Sequence, residues 1–123
     1  MQKIYICEHC GNIITKIDDA GVPVMCCGQL MKEIIAGEVE ASHEKHIPVV
    51  SNNNGVVEVV IGSVEHPMIE EHLIEWVMLE TSQGFQIKKL KAGDLPKVQF
   101  ALLPNEELKT VYAYCNLHGL WKA

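Results

Sequence analysis

Residues 52–61 have the sequence NNNGVVEVVI, a polar turn followed by a run dominated by valine and isoleucine. Asn and Gly are favoured in turns and β-branched residues in strands, so this stretch predicts a strand at residues 56–61. Three further short segments rich in β-formers follow it, at residues 85–90, 98–102 and 110–114. Several short strands separated by turn signals predict a β-sandwich or barrel from about Gly37 onward.

One segment, residues 69–80, does not fit this pattern clearly. Its sequence, IEEHLIEWVMLE, spaces its apolar residues in a way that suits a helix as well as a strand. Periodicity alone therefore leaves its secondary structure open.

The first 36 residues differ from the rest of the chain. Ile4–Ile6 and residues 13–16 predict two short strands, and residues 22–25 predict a third. A unit this small rarely has enough core to fold alone. We therefore expect a separate N-terminal domain at residues 1–36, held together by a bound metal, and a second domain at residues 37–123.

Composition and charge exclude several classes of function. The net charge is −6, and lysine and arginine together number only ten, which disfavours nucleic-acid binding. No apolar run approaches the roughly 18–20 residues that a membrane span needs. The first residues contain no apolar signal core, so the expected location is the cytoplasm.

Four of the five cysteines lie early in the chain, as Cys7-x-x-Cys10 and the adjacent pair Cys26-Cys27. Clustered cysteines in a reducing compartment are more often metal ligands than disulfides, and an odd count cannot pair completely. Four thiolates suit a tetrahedral zinc or iron ion, and the residues alone do not choose between them. The adjacent pair reaches one metal only where the backbone turns, and Gly28 is suited to such a turn.

The fifth cysteine belongs to a second candidate metal site, Cys115-x-x-His118. Within the second domain, four more histidines lie upstream of it, at positions 43, 46, 66 and 72. A site of mixed imidazole and thiolate suits iron, zinc, copper or nickel, and a single thiolate favours redox chemistry. Spacing does not decide between His43 and His46 as a ligand.

Five motifs, in this order, carry a resemblance to a known family. They are Cys7-x-x-Cys10 with Cys26-Cys27, Glu44-Lys45-His46-x-Pro48, Gly62-Ser63-x-x-His66-Pro67-Met68, His72-x-Ile74-Glu75-Trp76, and Cys115-Asn116-x-His118-Gly119-Leu120-Trp121. On these motifs the whole chain resembles desulfoferrodoxin, the two-iron form of superoxide reductase.

The resemblance implies an all-β protein with a small desulforedoxin-like domain followed by an immunoglobulin-like sandwich of seven strands. It implies that residues 72–80 are strand, and that the chain forms a homodimer. One iron would be held by four thiolates, those of Cys7, Cys10, Cys26 and Cys27. The second, catalytic iron would be held by His46, His66, His72, His118 and Cys115, with His43 as an outer, solvated neighbour.

The resemblance also implies a function, the one-electron reduction of superoxide to hydrogen peroxide, with a rubredoxin-like protein as electron donor. Lys45, next to a ligand, would attract superoxide and order a proton-delivering water. Glu44 matches the glutamate that occupies the sixth position of the oxidised iron in the family. Two other hypotheses compete with this one: a closed electron carrier and a zinc-stabilised interaction module.

Overall fold

The computed structural model describes residues 1–37 and 41–123. These residues divide into two compact units, Met1–Ile35 and Ala36–Ala123. Their regular structure consists of strands apart from a single helical turn. In this described part of the chain, no helix has the length and hydropathy of a membrane span.

The first unit contains five short strands. They are β1 (Ile4–Ile6), β2 (Ile13–Thr15), β3 (Met25–Cys26), β4 (Gln29–Leu30) and β5 (Lys32–Ile34). Strand β1 lies between β2 and β5 in an antiparallel sheet, and β3 pairs with β4 as a separate hairpin. The predicted strand at Ile4–Ile6 is confirmed, and the second predicted strand ends at Thr15.

The third predicted strand is largely wrong. Residues 22–24 lie outside any strand, and β3 begins only at Met25. Pro23 has no N–H to donate to a ladder, and the side chain of Val22 is exposed, so neither bonding nor burial favours a strand there. The apolar character of this stretch misled the prediction.

The second unit is a sandwich of seven strands, which confirms the predicted fold. The strands are β6 (Pro48–Asn53), β7 (Val56–Ile61), β8 (Ile74–Thr81), β9 (Gly84–Lys89), β10 (Lys97–Ala101), β11 (Leu108–Cys115) and β12 (Gly119–Lys122). One antiparallel sheet has the order β10-β7-β6 and the other has the order β12-β11-β8-β9. The helical turn α1 (His43–His46) precedes β6.

The core of the sandwich lies between these two sheets. Alternate residues of a strand face the same side, so every second residue of β7, such as Val57 and Val59, is buried. Apolar residues from both sheets form one buried cluster: Val57, Val59, Ile61, Ile74, Val77, Leu79, Val98, Phe100, Val111, Ala113 and Cys115. The sulfur-bearing Cys115 is therefore fixed at the end of the core.

Residues 69–80 were ambiguous in sequence partly because the apolar residues 69 and 73 lie before the strand, and a β-bulge adds to the helix-like pattern. Tyr114 pairs with Trp76, but the next residue of β11 pairs with Ile74, which leaves Glu75 without a partner on β11. The extra residue places Ile74 and Val77 in the same core cluster although they are three positions apart. Three-residue spacing is typical of a helix, so the strand had a helix-like pattern. The strand that the resemblance implied at residues 72–80 is confirmed from Ile74 onward, whereas residues 72 and 73 lie before β8.

Candidate metal centres

A tight turn after β1 brings Cys7 and Cys10 to one side of the backbone. The N–H of Gly11 donates to the carbonyl of Cys7 at 2.8 Å, and the N–H of Cys7 donates to the carbonyl of Asn12 at 2.8 Å. Gly11 has a φ of 84°, which few other residues adopt without strain. The N–H of Cys10 points at the sulfur of Cys7, at 3.5 Å. The turn therefore fixes the orientation of the Cys7 sulfur.

The adjacent cysteines lie in a two-residue hairpin. Cys26 pairs with Gln29, so Cys27 and Gly28 are the two central residues of the turn. Both have positive φ, 53° at Cys27 and 72° at Gly28, as a type I′ turn requires. This turn rotates the backbone between the two cysteines, so both sulfurs reach the same side. The turn expected at Gly28 begins one residue earlier, at Cys27.

The four sulfurs of the first unit form a cluster suited to a metal. The Sγ atoms of Cys7, Cys10, Cys26 and Cys27 all lie within 4.8 Å of one another. The backbone N–H of Cys10 lowers the pKa of Cys7 to about 6, whereas a hydrogen bond with the Cys10 thiol raises the pKa of Cys27 to about 12. Four thiolates this close repel one another, so the fully deprotonated cluster requires a cation at its centre.

The second unit holds four imidazole rings in a closed circle. Neighbouring ring centroids are 4.7 Å apart for His46 and His66, 4.7 Å for His66 and His72, 5.0 Å for His72 and His118, and 4.9 Å for His118 and His46. Across the circle, the centroids of His46 and His72 are 6.4 Å apart. His46 comes from α1, His66 and His72 from the connection between β7 and β8, and His118 from the turn between β11 and β12. The folded sandwich therefore assembles the circle.

Backbone carbonyls fix two of these rings. Nδ1 of His46 donates to the carbonyl of Ser42 at 2.6 Å, and Nδ1 of His66 donates to the carbonyl of Pro67 at 2.7 Å. With the proton on Nδ1, the lone pair is on Nε2, and the two Nε2 atoms are only 3.2 Å apart. Two lone pairs that face each other at this distance suit a shared metal ion.

The remaining donors complete this second cluster. His118 presents Nδ1, which lies 3.1 Å from Nε2 of His46 and 3.9 Å from the sulfur of Cys115. Nε2 of His72 is buried with no hydrogen-bond partner among the described residues. The donor atoms of His46, His66, His72 and Cys115 lie within 4.8 Å of one another. A metal ion would satisfy the orphaned nitrogen of His72, so the residues fit one.

Burial keeps three of these histidines in the neutral form that binds metals. It is the main cause that lowers the pKa of His46, His66 and His72, and the pKa of His66 falls to about 4. The rings are therefore neutral near pH 7, the form that coordinates metals. The positive charge of Lys45 adds to the lowering at His46 and His72. Burial also raises the pKa of Cys115, so a cation is needed to hold its thiolate.

The helical turn α1 is anchored to the loop that leads to His66. The carbonyl of Glu44 accepts the N–H of Val64 at 2.8 Å and the hydroxyl of Ser63 at 3.3 Å. Gly62 has a φ of 80°, and a Cβ there would lie 2.6 Å from the Glu44 carbonyl oxygen. Glycine therefore permits the contact that brings the His46 turn and the His66 loop together.

Within α1 the side chains divide between the site and solvent. His46 is buried, whereas Glu44 and Lys45 are exposed. His43 is also exposed, and its ring meets the edge of Trp121 at 5.4 Å between centroids. The structure thus brings His46, and not His43, into the circle of rings.

Trp121 is a further residue of the site, to which the sequence assigned no role. Its Nε1 donates to the carbonyl of His118 at 3.0 Å, and its ring stacks on that of His46 at 4.9 Å. It is buried and so holds two donor-bearing residues in place. Its position in the last of the five motifs was the only signal in the sequence.

Comparison with known proteins agrees with this geometry. The Desulfoferrodoxin family model matches residues 38–123. The desulfoferrodoxin of Nitratidesulfovibrio vulgaris is 42% identical over 122 residues, covering 98% of this chain and 94% of the relative. That of Clostridium acetobutylicum is 39% identical over 121 residues, again covering 98% and 94%.

Solved structures are similar as well. The superoxide reductase from Treponema pallidum has a TM-score of 0.84 and 35% identity, covering 100% of this chain and 97% of that one. The one-iron superoxide reductase from Giardia intestinalis has a TM-score of 0.56 and 31% identity, covering 65% of this chain and 95% of that one. The four-cysteine cluster and the cluster of four histidines with one cysteine match a two-iron arrangement. The chain therefore belongs to the desulfoferrodoxin family.

Proposed function

We propose that this chain is a superoxide reductase. The observation that carries the proposal is the closed circle of four imidazole rings beside the buried sulfur of Cys115. The reaction adds one electron and two protons to superoxide and gives hydrogen peroxide. The similar structures from T. pallidum and G. intestinalis are those of superoxide reductases, which supports the proposal.

The proposed ligands of the catalytic iron are His46, His66, His72, His118 and Cys115. Iron held by these five donors would supply the electron and, because the protein provides fewer than six ligands, it would also offer a place for a small anion. The proposed ligands of the other iron are Cys7, Cys10, Cys26 and Cys27, a closed set without such a place. This difference favours catalysis at the second centre.

Local charge offsets the acidity of the protein as a whole. Superoxide is an anion, and a net charge of −6 repels it. Four neutral imidazoles and one thiolate carry a single negative charge, so the loaded centre keeps a net positive charge. Lys45 adds another, and its influence on the pKa of His46 and His72 supports its closeness to the site. We propose that Lys45 attracts superoxide and orders a proton-delivering water.

Glu44 has a different proposed role. Its carboxylate is exposed and belongs to the same helical turn as the ligand His46, while its backbone carbonyl is held by Val64. Held in this way, the residue could cover the open position with its carboxylate after turnover and withdraw when superoxide arrives. Glu44 is thus proposed as a displaceable cap and not as a proton donor.

We also propose an electron donor, a division into domains, an oligomeric state and a location for this protein. A rubredoxin-like protein would return the spent electron, and the four-cysteine iron would serve as an accessory relay. The functional domains would be residues 1–36 and 37–123, and the chain would act as a homodimer in the cytoplasm.

The decisive experiment measures superoxide consumption by the iron-loaded protein in the presence of an electron donor. We expect superoxide loss with hydrogen peroxide as product and no oxygen. His118→Ala should abolish this activity, and His43→Ala, a matched control on an exposed ring, should keep it. Oxygen release without a donor would instead identify a dismutase.

A second measurement separates the competing hypotheses. Anaerobic addition of azide should change the spectrum of the histidine-bound iron, because azide occupies an open position. An unchanged spectrum would favour a closed electron carrier. Colourless protein that holds only zinc, after expression with iron supplied, would favour an interaction module.

A further inference from the structure

The side chain of Asn116 joins two segments that carry metal donors. Its Oδ1 accepts the backbone N–H of Leu73 at 3.0 Å, and its Nδ2 donates to the carbonyl of Glu71 at 3.1 Å. Its own backbone N–H donates to the carbonyl of Leu73 at 3.2 Å. All three bonds therefore end on the two residues that flank His72.

These bonds begin where the regular ladder between β8 and β11 ends. The last paired residues are Cys115 and Ile74, just beyond the bulge. After Cys115 the chain turns away to present His118 and cannot continue as a strand. The amide of Asn116 offers one acceptor and one donor, as a peptide group does, and so extends the ladder by one more step.

We propose that Asn116 is a positioning residue for the histidine–cysteine centre. It fixes the distance between the loop that carries His72 and the turn that carries Cys115 and His118. Without this bridge, Nε2 of His72 would no longer be held in the buried position where the described residues offer it no partner. The inference rests on the proposed ligand set of this centre but not on the reaction that occurs there.

The test uses two variants of the full-length chain. Asn116→Ala removes both side-chain bonds and leaves the N–H of Leu73 without its acceptor. Asn116→Asp keeps an acceptor for that N–H but turns a carboxylate oxygen towards the carbonyl of Glu71, so the bridge is half broken. The second variant decides the question if the first does not fold.

A matched control lies at the other end of the same two strands. Ser82 follows β8, and its hydroxyl accepts the N–H of Glu107, which precedes β11, at 2.9 Å. Ser82→Ala thus removes a comparable bridge between the strands, at the end remote from Cys115. A general loss of stability should appear in this variant too, whereas a change at the metal centre should not.

The measurement is competition for Co²⁺ between each protein and a chelator, followed by thiolate-to-cobalt absorption and by cobalt content. Loss of a supporting contact around a metal site typically weakens binding by about 10–100-fold. We expect Asn116→Ala to weaken the second Co²⁺ by an amount in that range, and Asn116→Asp by less. The four-cysteine cluster should keep its ion in both variants and so serves as an internal reference.

The inference would be overturned if every Asn116 variant that folds bound the second Co²⁺ with the affinity and the absorption spectrum of the wild-type protein. An equal loss in Ser82→Ala would overturn it as well, because the effect would then be general. Neither readout involves superoxide. If the wild-type iron protein proves inactive while the cobalt results hold, the proposed function fails and the positioning role stands.

Discussion

The two donor clusters of this protein are assembled in different ways. Cys7, Cys10, Cys26 and Cys27 lie on two tight turns close together in the chain, and two of these residues are exposed. The second cluster combines residues as distant as His46 and His118, and its sulfur is fully buried in the sandwich core. The first is a local structure, and the second depends on the whole of the second unit.

This difference indicates what holds each unit together. The first unit offers few buried side chains, Ile4 and Cys7 among them, so its metal must contribute much of its folding free energy. The second unit has a continuous core of residues from both sheets, so we expect it to form before any metal binds. We therefore expect the first unit to need its metal in order to fold, whereas the folded sandwich creates the second metal site.

Removal of both metals should have the largest effect. Structural metal sites of this size contribute about 10–16 kcal/mol at neutral pH, so we expect the first unit to unfold while the sandwich persists. Hydrogen exchange of the metal-free protein would report it, with protection lost in Ile4–Ile6 and kept in Val56–Ile61. Protection that remains in Ile4–Ile6 would contradict the comparison.

The substitution Cys10→Ser should separate the two centres within one chain. It removes one of four thiolates, so the first metal should be lost together with the order of its unit. Superoxide reduction at the second centre should continue at the wild-type rate with an artificial donor. This is measured as metal content per chain alongside activity. Complete loss of activity in a variant with a folded sandwich would make the first iron an essential relay.

The substitution Gly62→Ala should weaken metal binding at the second centre by displacing the backbone that positions His46. A Cβ there would overlap the carbonyl oxygen of Val64 and lie 2.6 Å from that of Glu44, so the His46 turn must move. Gly93→Ala is the matched control, because Gly93 also has positive φ but no atom within 4 Å of a Cβ.

The strain of a left-handed residue costs about 1–2 kcal/mol in either variant. Gly62→Ala should exceed this in denaturant unfolding and should also lose the second metal, while the first is retained. Equal destabilisation of the two variants, with both metals bound, would show that the contact does not position His46.

The smallest effect is expected from Lys45→Ala. Removal of this charge should slow superoxide capture by roughly threefold to tenfold at low salt and flatten the dependence of the rate on ionic strength. Rapid mixing with superoxide at several salt concentrations measures both. Lys109→Ala makes the same change in net charge at the far end of β11, where it pairs with Glu107, and should leave the rate unaltered. Equal rates in the two variants would show that the charge of Lys45 does not attract superoxide to the site.

The sequence revealed the local features of this molecule more readily than the distant ones. A C-x-x-C knuckle is a short-range structure, so Cys7 and Cys10 identified it without a fold. The run of β-branched residues at Val56–Ile61 likewise indicated its strand. The type I′ turn was harder, because Cys27 itself takes the left-handed conformation that the sequence suggested for Gly28.

The parts that could not be predicted depend on contacts across the sandwich. Whether His43 or His46 enters the circle is decided by how α1 packs against Gly62 and Trp121, which no spacing reveals. The bulge at Glu75 gave a strand the periodicity of a helix. Asn116 and Trp121 both belong to the last of the five motifs, but the sequence does not reveal their roles. Asn116 forms a hydrogen bond with Leu73, which is distant in the chain, and Trp121 forms one with His118 in the preceding turn.

The chain order of the donors also sets an order in time during synthesis. Domains fold from the N-terminus as the ribosome adds about 5–20 residues per second. The four-cysteine cluster can take up its metal once Cys27 has emerged, while the sandwich is still being made. The other centre must wait for His118, the last of its donors to be translated. A nascent chain can therefore bind its first metal while the other site is still incomplete.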